Sequence, residues 1–299
     1  MKRAAVIFVM LAATSLAVGQ QKATGSPTTP GQSTPAAQAA APAPPQGKRP
    51  PAAKTQKEFD AYQAAVANAH DPAALEKAAD DFATNFPDSE LRLLLYKSAA
   101  RAYQNVNNGD KMAEMAEKEL KLDPDDPEAL IGAAEVIAEK TRDTDLDKDQ
   151  RWAQAQKYAQ HATETVDTDV AIPANTPQEK VDAYKGFLRS SAYSVLGTIE
   201  FNQEKFVEAE GYFRKSIDAL PSQPDPVVIL RLAIALDKQG KYQDALKEAN
   251  RAVAMTQESN STGMLARRER DRLLLMTGGS PAPTSAPPAG VQNPNPPSH

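Results

Sequence analysis

Between Lys54 and Met276 apolar residues recur at three- and four-residue intervals, with little period-two alternation, and Pro or Gly falls mostly between the apolar segments. That periodicity rules out a sheet and dictates helices, each with a single stripe to bury. The spacing predicts eleven of them, at residues 55–69, 72–85, 89–106, 109–122, 126–140, 148–165, 177–203, 205–219, 224–239, 241–256 and 262–276. A lone amphipathic helix gains little in water, so such elements must bury their stripes against one another.

The helices come in pairs, and the pairs repeat. The clearest unit reads Tyr193-x2-Leu196-Gly197, then Phe206-x2-Ala209-x3-Phe213-x2-Ser216-x4-Pro221. The next reads Ile229-x2-Leu232-Ala233-x2-Leu236, then Gly240-x-Tyr242-x2-Ala245-x3-Ala249-x2-Ala252. Small residues at Gly197, Ala209, Ala233 and Ala245 let two helices approach closely, while Phe213 and Leu232 fill the space beside them. The spacings continue upstream in Tyr96, Ala99, Ala100, Tyr103, Met112, Ala116 and Pro124, and in Phe59, Tyr62, Val66, Leu75, Ala79, Phe82 and Pro87. Between these and the clearest unit, Leu130, Ala133, Ala134 and Ile137 match a first helix, and Ala155, Ala159 and Ala162 a second.

These units resemble the tetratricopeptide repeat, in which a helix pair carries large and small residues on helix A, a turn, and Ala with an aromatic on helix B. The resemblance implies an all-α, right-handed α-solenoid of about five helix pairs with a C-terminal capping helix. Phe82-x3-Phe86-Pro87-Asp88-Ser89-Glu90, followed by Tyr96 and Tyr103, is also similar to helical-repeat proteins that serve envelope assembly in bacteria. Those proteins are often lipid-anchored through a cysteine, and this chain has none.

Two departures interrupt the array. Thr141 to Lys148 form an insertion, and the linker from Val166 to Thr176 precedes an unusually long helix. In that helix Val181, Tyr184, Leu188, Ala192, Val195 and Ile199 share one stripe. The final helix is expected to set Leu265 and Leu273 to Met276 inward, leaving a polar outer face that carries Arg267, Arg268, Arg270 and Arg272.

Met1-Lys2-Arg3 followed by the apolar run Ala4 to Val18 and Gly19 reads as a secretory signal over residues 1–19. The run falls short of the roughly 20 apolar residues a membrane-spanning helix needs. Residues 20–53 and 277–299 are rich in Ala, Pro, Gly and polar residues and read as disordered tails around a repeat domain at 54–276. Export without cysteine excludes disulfides and a cysteine-linked lipid. The expected location is the periplasm or the medium. Losing Lys2 and Arg3 takes the net charge from −5 to −7, which argues against a nucleic-acid partner.

Little in the sequence supports catalysis or a cofactor. Of the three histidines, His70 falls at a turn, His161 on a helix and His299 at the chain end, and there is neither a phosphate loop nor an HExxH pair. Asp143, Asp145, Asp147 and Asp149 alternate as calcium ligands do, but Lys148 replaces the turn glycine and Gln154 the bidentate glutamate, so helix capping accounts for them. The expectation is therefore no enzyme, no cofactor and no metal.

In the tetratricopeptide family the A helices line a concave surface that accepts a peptide or helix of a partner. The resemblance carries that face onto Lys97, Arg101, Gln104 and Asn105; Glu128, Ile131 and Glu135; Ser194, Thr198, Phe201 and Asn202; and Leu230, Ile234 and Lys238. Lys97 and Arg101, one turn apart, are placed to receive a ligand carboxylate. The implied role is an envelope scaffold for other proteins or peptides. The alternatives are a structural subunit of envelope assembly that binds copies of itself and a periplasmic ligand-binding protein or enzyme built on the same repeat.

Overall fold

The computed structural model describes residues 47–279. Along them run α1 (Gln56–Val66), α2 (Pro72–Asn85), α3 (Leu91–Asn105), α4 (Gly109–Leu122), α5 (Pro127–Lys140) and α6 (Lys148–Thr165). Then follow α7 (Gln178–Asn202), α8 (Phe206–Ala219), α9 (Pro226–Lys238), α10 (Tyr242–Ala254) and α11 (Ser261–Met276). All eleven expected helices are present, and no strand occurs among the described residues. The proposed signal at 1–19, residues 20–46 and residues 280–299 lie outside the described part.

The chain divides into two compact units. Among the described residues the first comprises 47–136 and 161–188, the second 137–160 and 189–279. Each is built from helix hairpins closed by small residues.

In the first unit, capping fixes the helix starts. Thr55 caps α1 by accepting from the Glu58 amide, Asp71 caps α2 by accepting from Ala73 and Ala74 with Pro72 in the first turn, and Asn108 caps α4. Leu75, Leu95 and Met115 are fully buried beside Ala79 and Ala99, which have no exposed surface either. Burying a leucine side chain contributes roughly 2 kcal/mol, and alanines between the helices let the larger side chains interdigitate. Phe82, Tyr96 and Tyr103 complete this core.

In the second unit α8 to α11 pack in succession around Phe213, Ile229, Leu232, Leu236 and Leu273, with Ala209, Ala233, Ala245, Ala249 and Ala252 at the close approaches. Gly197 adds a further close approach, between α7 and α8. A β-carbon there would lie 2.6 Å from the Phe213 ring.

One turn geometry recurs and identifies the repeat physically. After α3, Asn107 has φ 57° and Asn108 N–H donates to Tyr103 C=O; after α7, Glu204 has φ 60° and Lys205 N–H donates to Glu200 C=O. After α9, Gly240 has φ 75° and Lys241 N–H donates to Leu236 C=O. Each is a left-handed residue followed by a six-to-one hydrogen bond, the Schellman cap. Only one of the three positions carries the glycine such a conformation favours.

The capping helix differs from expectation. α11 buries Ala266 and Leu273, a heptad apart, along with Thr262 and Gly263. Leu265 and Met276 flank this stripe, Met264 and Leu275 lie opposite it, and all four are exposed at 45 to 66%. Its outer face is thus apolar as well as basic. At the other end, residues 47–53, which composition assigns to a tail, pack along the first unit through the contacts described below.

Candidate functional site

α3 and α5 bring Lys97, Arg101 and Glu128 together, as the sequence placed them on one face, but they bond to each other. The Arg101 guanidinium forks onto Glu128, Nε to Oε1 at 2.6 Å and Nη2 to Oε2 at 2.7 Å. Lys97 Nζ donates to Asp126 Oδ2 at 2.5 Å and lies 3.5 Å from Glu128. The Tyr184 hydroxyl, from α7, donates to Glu128 Oε2 at 2.9 Å. The other Asp126 oxygen caps α5 by accepting from the Glu128 and Ala129 amides. The carboxylate proposed as a ligand's contribution is thus supplied by the chain, and a ligand carboxylate would have to displace Glu128.

The electrostatics follow from that closure. Burial works against the charge of Glu128, but Lys97 and Arg101 outweigh it and hold its carboxyl down at about 2. Burial likewise opposes the charges on Lys97 and Arg101, yet Glu128 raises both. Tyr184 is pushed up by burial and by Glu128. Glu119 on α4 has the opposite fate. It is 1% exposed, one of its oxygens has no hydrogen-bond partner, and burial raises its carboxyl well above the ordinary range, more than Lys97 can offset. Glu119 and Tyr184 lie outside the face that the repeat spacing marks out: Tyr184 reads only as part of the long helix's apolar stripe, and the signal for Glu119 is an acid at a position where the apolar stripe of α4 predicts a core residue.

The remaining face residues separate by burial. Gln104 and Asn105 on α3 are exposed, and Glu135 is half-buried, whereas Ile131 is buried in α5. In the second unit Lys238 is exposed, and Phe201, Asn202 and Ile234 are half-buried. Ser194, Thr198 and Leu230 are buried: Thr198 Oγ1 donates to Ser194 C=O and accepts from Arg231 at 2.7 Å, which makes it part of the helix contact. The cause is the close packing that small residues permit, which draws side chains of intermediate size into the hairpin interface. Phe201 stacks edge-on against Phe206 and packs on the second core, with Ile234 beside it.

The other chemical candidates resolve into local structure. Asp145 accepts from the Arg142 amide and pairs with Arg151, Asp143 pairs with Lys148, and α6 starts at Lys148 with the Arg151 amide bonded to Asp147 C=O. A shallow hollow of about 460 Å³ nearby is lined by Glu139, Lys140, Arg142, Asp145 and Arg151, all of them charged. Among the described residues no three His, Cys, Asp or Glu side chains converge to hold a metal. His161 bonds Asp125 at 2.7 Å, and His70 is exposed in the turn before α2. The α11 arginines bond within their unit: Arg270 to Asp271, Arg272 to Glu269 and Asp237, and Arg267 to the Gly263 and Thr256 carbonyls.

A second built surface lies on the first unit where residues 47–54 cross the connections between helix pairs. Lys48 N–H donates to Val170 C=O at 3.1 Å and Lys48 bridges Ala171, while its Nζ holds both Asp123 oxygens at 2.7 Å. Arg49 Nη2 donates to Glu90 Oε1 at 2.6 Å, and the Ala52 amide to Glu90 Oε2 at 3.3 Å. Lys54 Nζ donates to Asp88 C=O and its amide to Glu58. A β-carbon on Gly47 would sit 2.3 Å from the Val170 oxygen, so only glycine permits that approach.

No family model and no curated protein matches the chain. Among solved structures it is similar to PilF of Pseudomonas aeruginosa, at 18% identity over 75% of this chain and 87% of that one, with a TM-score of 0.51. It is also similar to a thermophilic TPR protein of Thermus thermophilus, at 16% identity over 73% and 99% of the two chains, with a TM-score of 0.44. The likeness is one of fold. With its helix pairs and recurrent caps, the chain has the tetratricopeptide-type helical-repeat fold. No described helix is long and apolar enough to cross a membrane.

Proposed function

We propose that this protein is a non-catalytic interaction scaffold of the bacterial cell envelope, exported by the signal at residues 1–19, whose A-helix faces dock peptide or helical segments of other proteins. The observation that carries the reading is how the titratable groups are used. Lys97, Arg101, Glu119, Glu128 and Tyr184, all strongly shifted, lie in a closed network that braces α3, α4, α5 and α7. The other strongly shifted groups are bonded as well, Tyr96 to Asp80, Tyr103 and Lys111 to Glu76, and Arg272 to Glu269 and Asp237, so that they too serve helix contacts and do not converge on a cavity that could hold a substrate. Of the A-helix positions, Gln104 and Asn105 are exposed within the first unit and, taken separately, Lys238 is exposed within the second, with Phe201 and Ile234 partly accessible there. Polar side chains around a few accessible apolar ones suit a protein ligand. The buried Ile131, Ser194, Thr198 and Leu230 support the face from behind.

The test is quantitative capture from an envelope extract with the intact chain, a Gln104→Glu/Asn105→Lys variant on α3, and a Glu117→Lys variant on α4. Partners lost with the first variant and kept with the second support the proposal; equal recovery from all three removes it.

The exposed Met264, Leu265, Leu275 and Met276 of α11 favour one further reading, a subunit that binds copies of itself through that helix. Mass measurement in solution across protein concentration, repeated with Leu275→Glu, tests it. A monomer at every concentration ends it.

A further inference from the structure

Residues 47–54 have the chemistry of a bound peptide. They are extended, hold two consecutive prolines, and meet the first unit through three backbone amides, Lys48, Ala52 and Lys54, and three basic side chains, Lys48, Arg49 and Lys54. Each helix-pair connection they cross contributes an acceptor: Asp88 C=O and Glu90 before α3, Asp123 before α5, and Val170 C=O with Asp169 before α7, the last 3.8 Å from Lys48 Nζ. The Asp123 side chain is only 9% exposed, yet it accepts both of its bonds from Lys48, a residue outside the helical array. A buried carboxylate aimed at the edge of the stack and satisfied by an extended segment is a recognition site already holding a ligand.

We propose that the acidic edge formed by Glu90, Asp123, Asp169 and the Val170 carbonyl is a docking track for extended, proline-containing segments with adjacent basic residues, and that the chain's own residues 47–54 occupy it as a tethered competitor. The track lies on the connections between helix pairs and is separate from the A-helix face, so it stands or falls independently of that face. Recognition has three parts. Prolines hold the segment extended and lower the entropy cost of docking. A glycine is required where the segment meets Val170. Adjacent Lys and Arg side chains reach carboxylates on neighbouring repeats. A partner segment with this chemistry must displace the resident one, whose effective concentration is of millimolar order because it is tethered.

The experiment uses a fluorescent peptide of residues 44–54 titrated by anisotropy into the intact chain and into a full-length Lys48→Glu/Arg49→Glu variant, in which the tethered segment is repelled from the edge. The variant should bind the peptide at least about tenfold more tightly than the intact chain, because the competitor is gone. Binding should weaken as salt rises and vanish when Asp123→Lys is added. Hydrogen exchange on the unaltered chain supplies a readout that does not depend on how the variants fold. Segment 47–54 should be protected, and should lose that protection when unlabelled peptide is added at about 1 mM, while helix amides hold theirs. No peptide binding to the variant, binding indifferent to Asp123→Lys, or an unprotected segment in the intact chain would each overturn the proposal.

Discussion

Replacing Glu128 with Gln tests the energetics of the first unit most sharply. The substitution keeps the shape but removes the charge that Arg101, Lys97 and Tyr184 share. A carboxyl that titrates at about 2 when folded and at its ordinary 4.5 when unfolded contributes about 3 kcal/mol at neutral pH. Because the folded value is depressed, that contribution is complete above 4.5 and drains away as pH falls toward 2. Arg101 is about half exposed, so water screens part of the loss when its partner goes. The expected cost is therefore about 2–3 kcal/mol at neutral pH, less than the 3–5 typical of a fully buried pair. It should shrink to about 1–1.5 kcal/mol near pH 3. Urea unfolding followed by far-ultraviolet circular dichroism at both pH values measures it, and the melting temperature should drop by about 5–10 °C at neutral pH. A cost below about 0.5 kcal/mol at neutral pH, or one equally large near pH 3, would refute the assignment of Glu128 as the ionised centre of the cluster.

Glu119→Gln should act in the opposite sense. A carboxyl whose folded value is raised costs nothing below its unfolded value and progressively more as pH climbs, so the variant should gain stability over wild type from pH 5 to 8, as thermal melts across that range will show. Glu204→Gly removes a left-handed glutamate at the cap of α7 and should stabilise by about 0.5–1 kcal/mol in the same unfolding assay. Gly197→Ala drives a methyl group into the Phe213 ring and should destabilise by about 1–3 kcal/mol; a neutral result would mean that the hairpin contact yields easily.

The helices were legible because each carries an apolar stripe and many are bounded by residues with a physical reason to start or stop them, such as Asp71-Pro72 before α2 or Gly240 after α9. Gly197 opposite Phe213 was equally readable, since a small residue at repeat spacing demands a large neighbour. The face was only half legible. Periodicity placed Lys97 and Arg101 on one side of α3, but which carboxylate they meet depends on how α5 and α7 pack, and local spacing carries no record of that. Ser194 and Thr198 look like surface residues by chemistry and are buried because neighbouring small residues draw the helices together. In α11 the run Leu273 to Met276 reads as one apolar side, although four consecutive residues necessarily encircle a helix. Residues 47–53 lacked the large apolar side chains that composition requires of an ordered segment. Their order comes from Lys48 and Arg49, set beside Pro50-Pro51, and from the acids waiting in each connection.

The central claim, that the A-helix faces are where partners dock, is tested most directly by site-specific photo-crosslinking. A photoreactive amino acid is placed in turn at Gln104 and Lys238 on the faces, and at Glu117 and Lys247 on the exposed sides of α4 and α10. After irradiation in an envelope extract, discrete crosslinked species should form from the first two positions and not from the last two. Crosslinks confined to Glu117 and Lys247, or the same pattern from all four positions, would contradict the account.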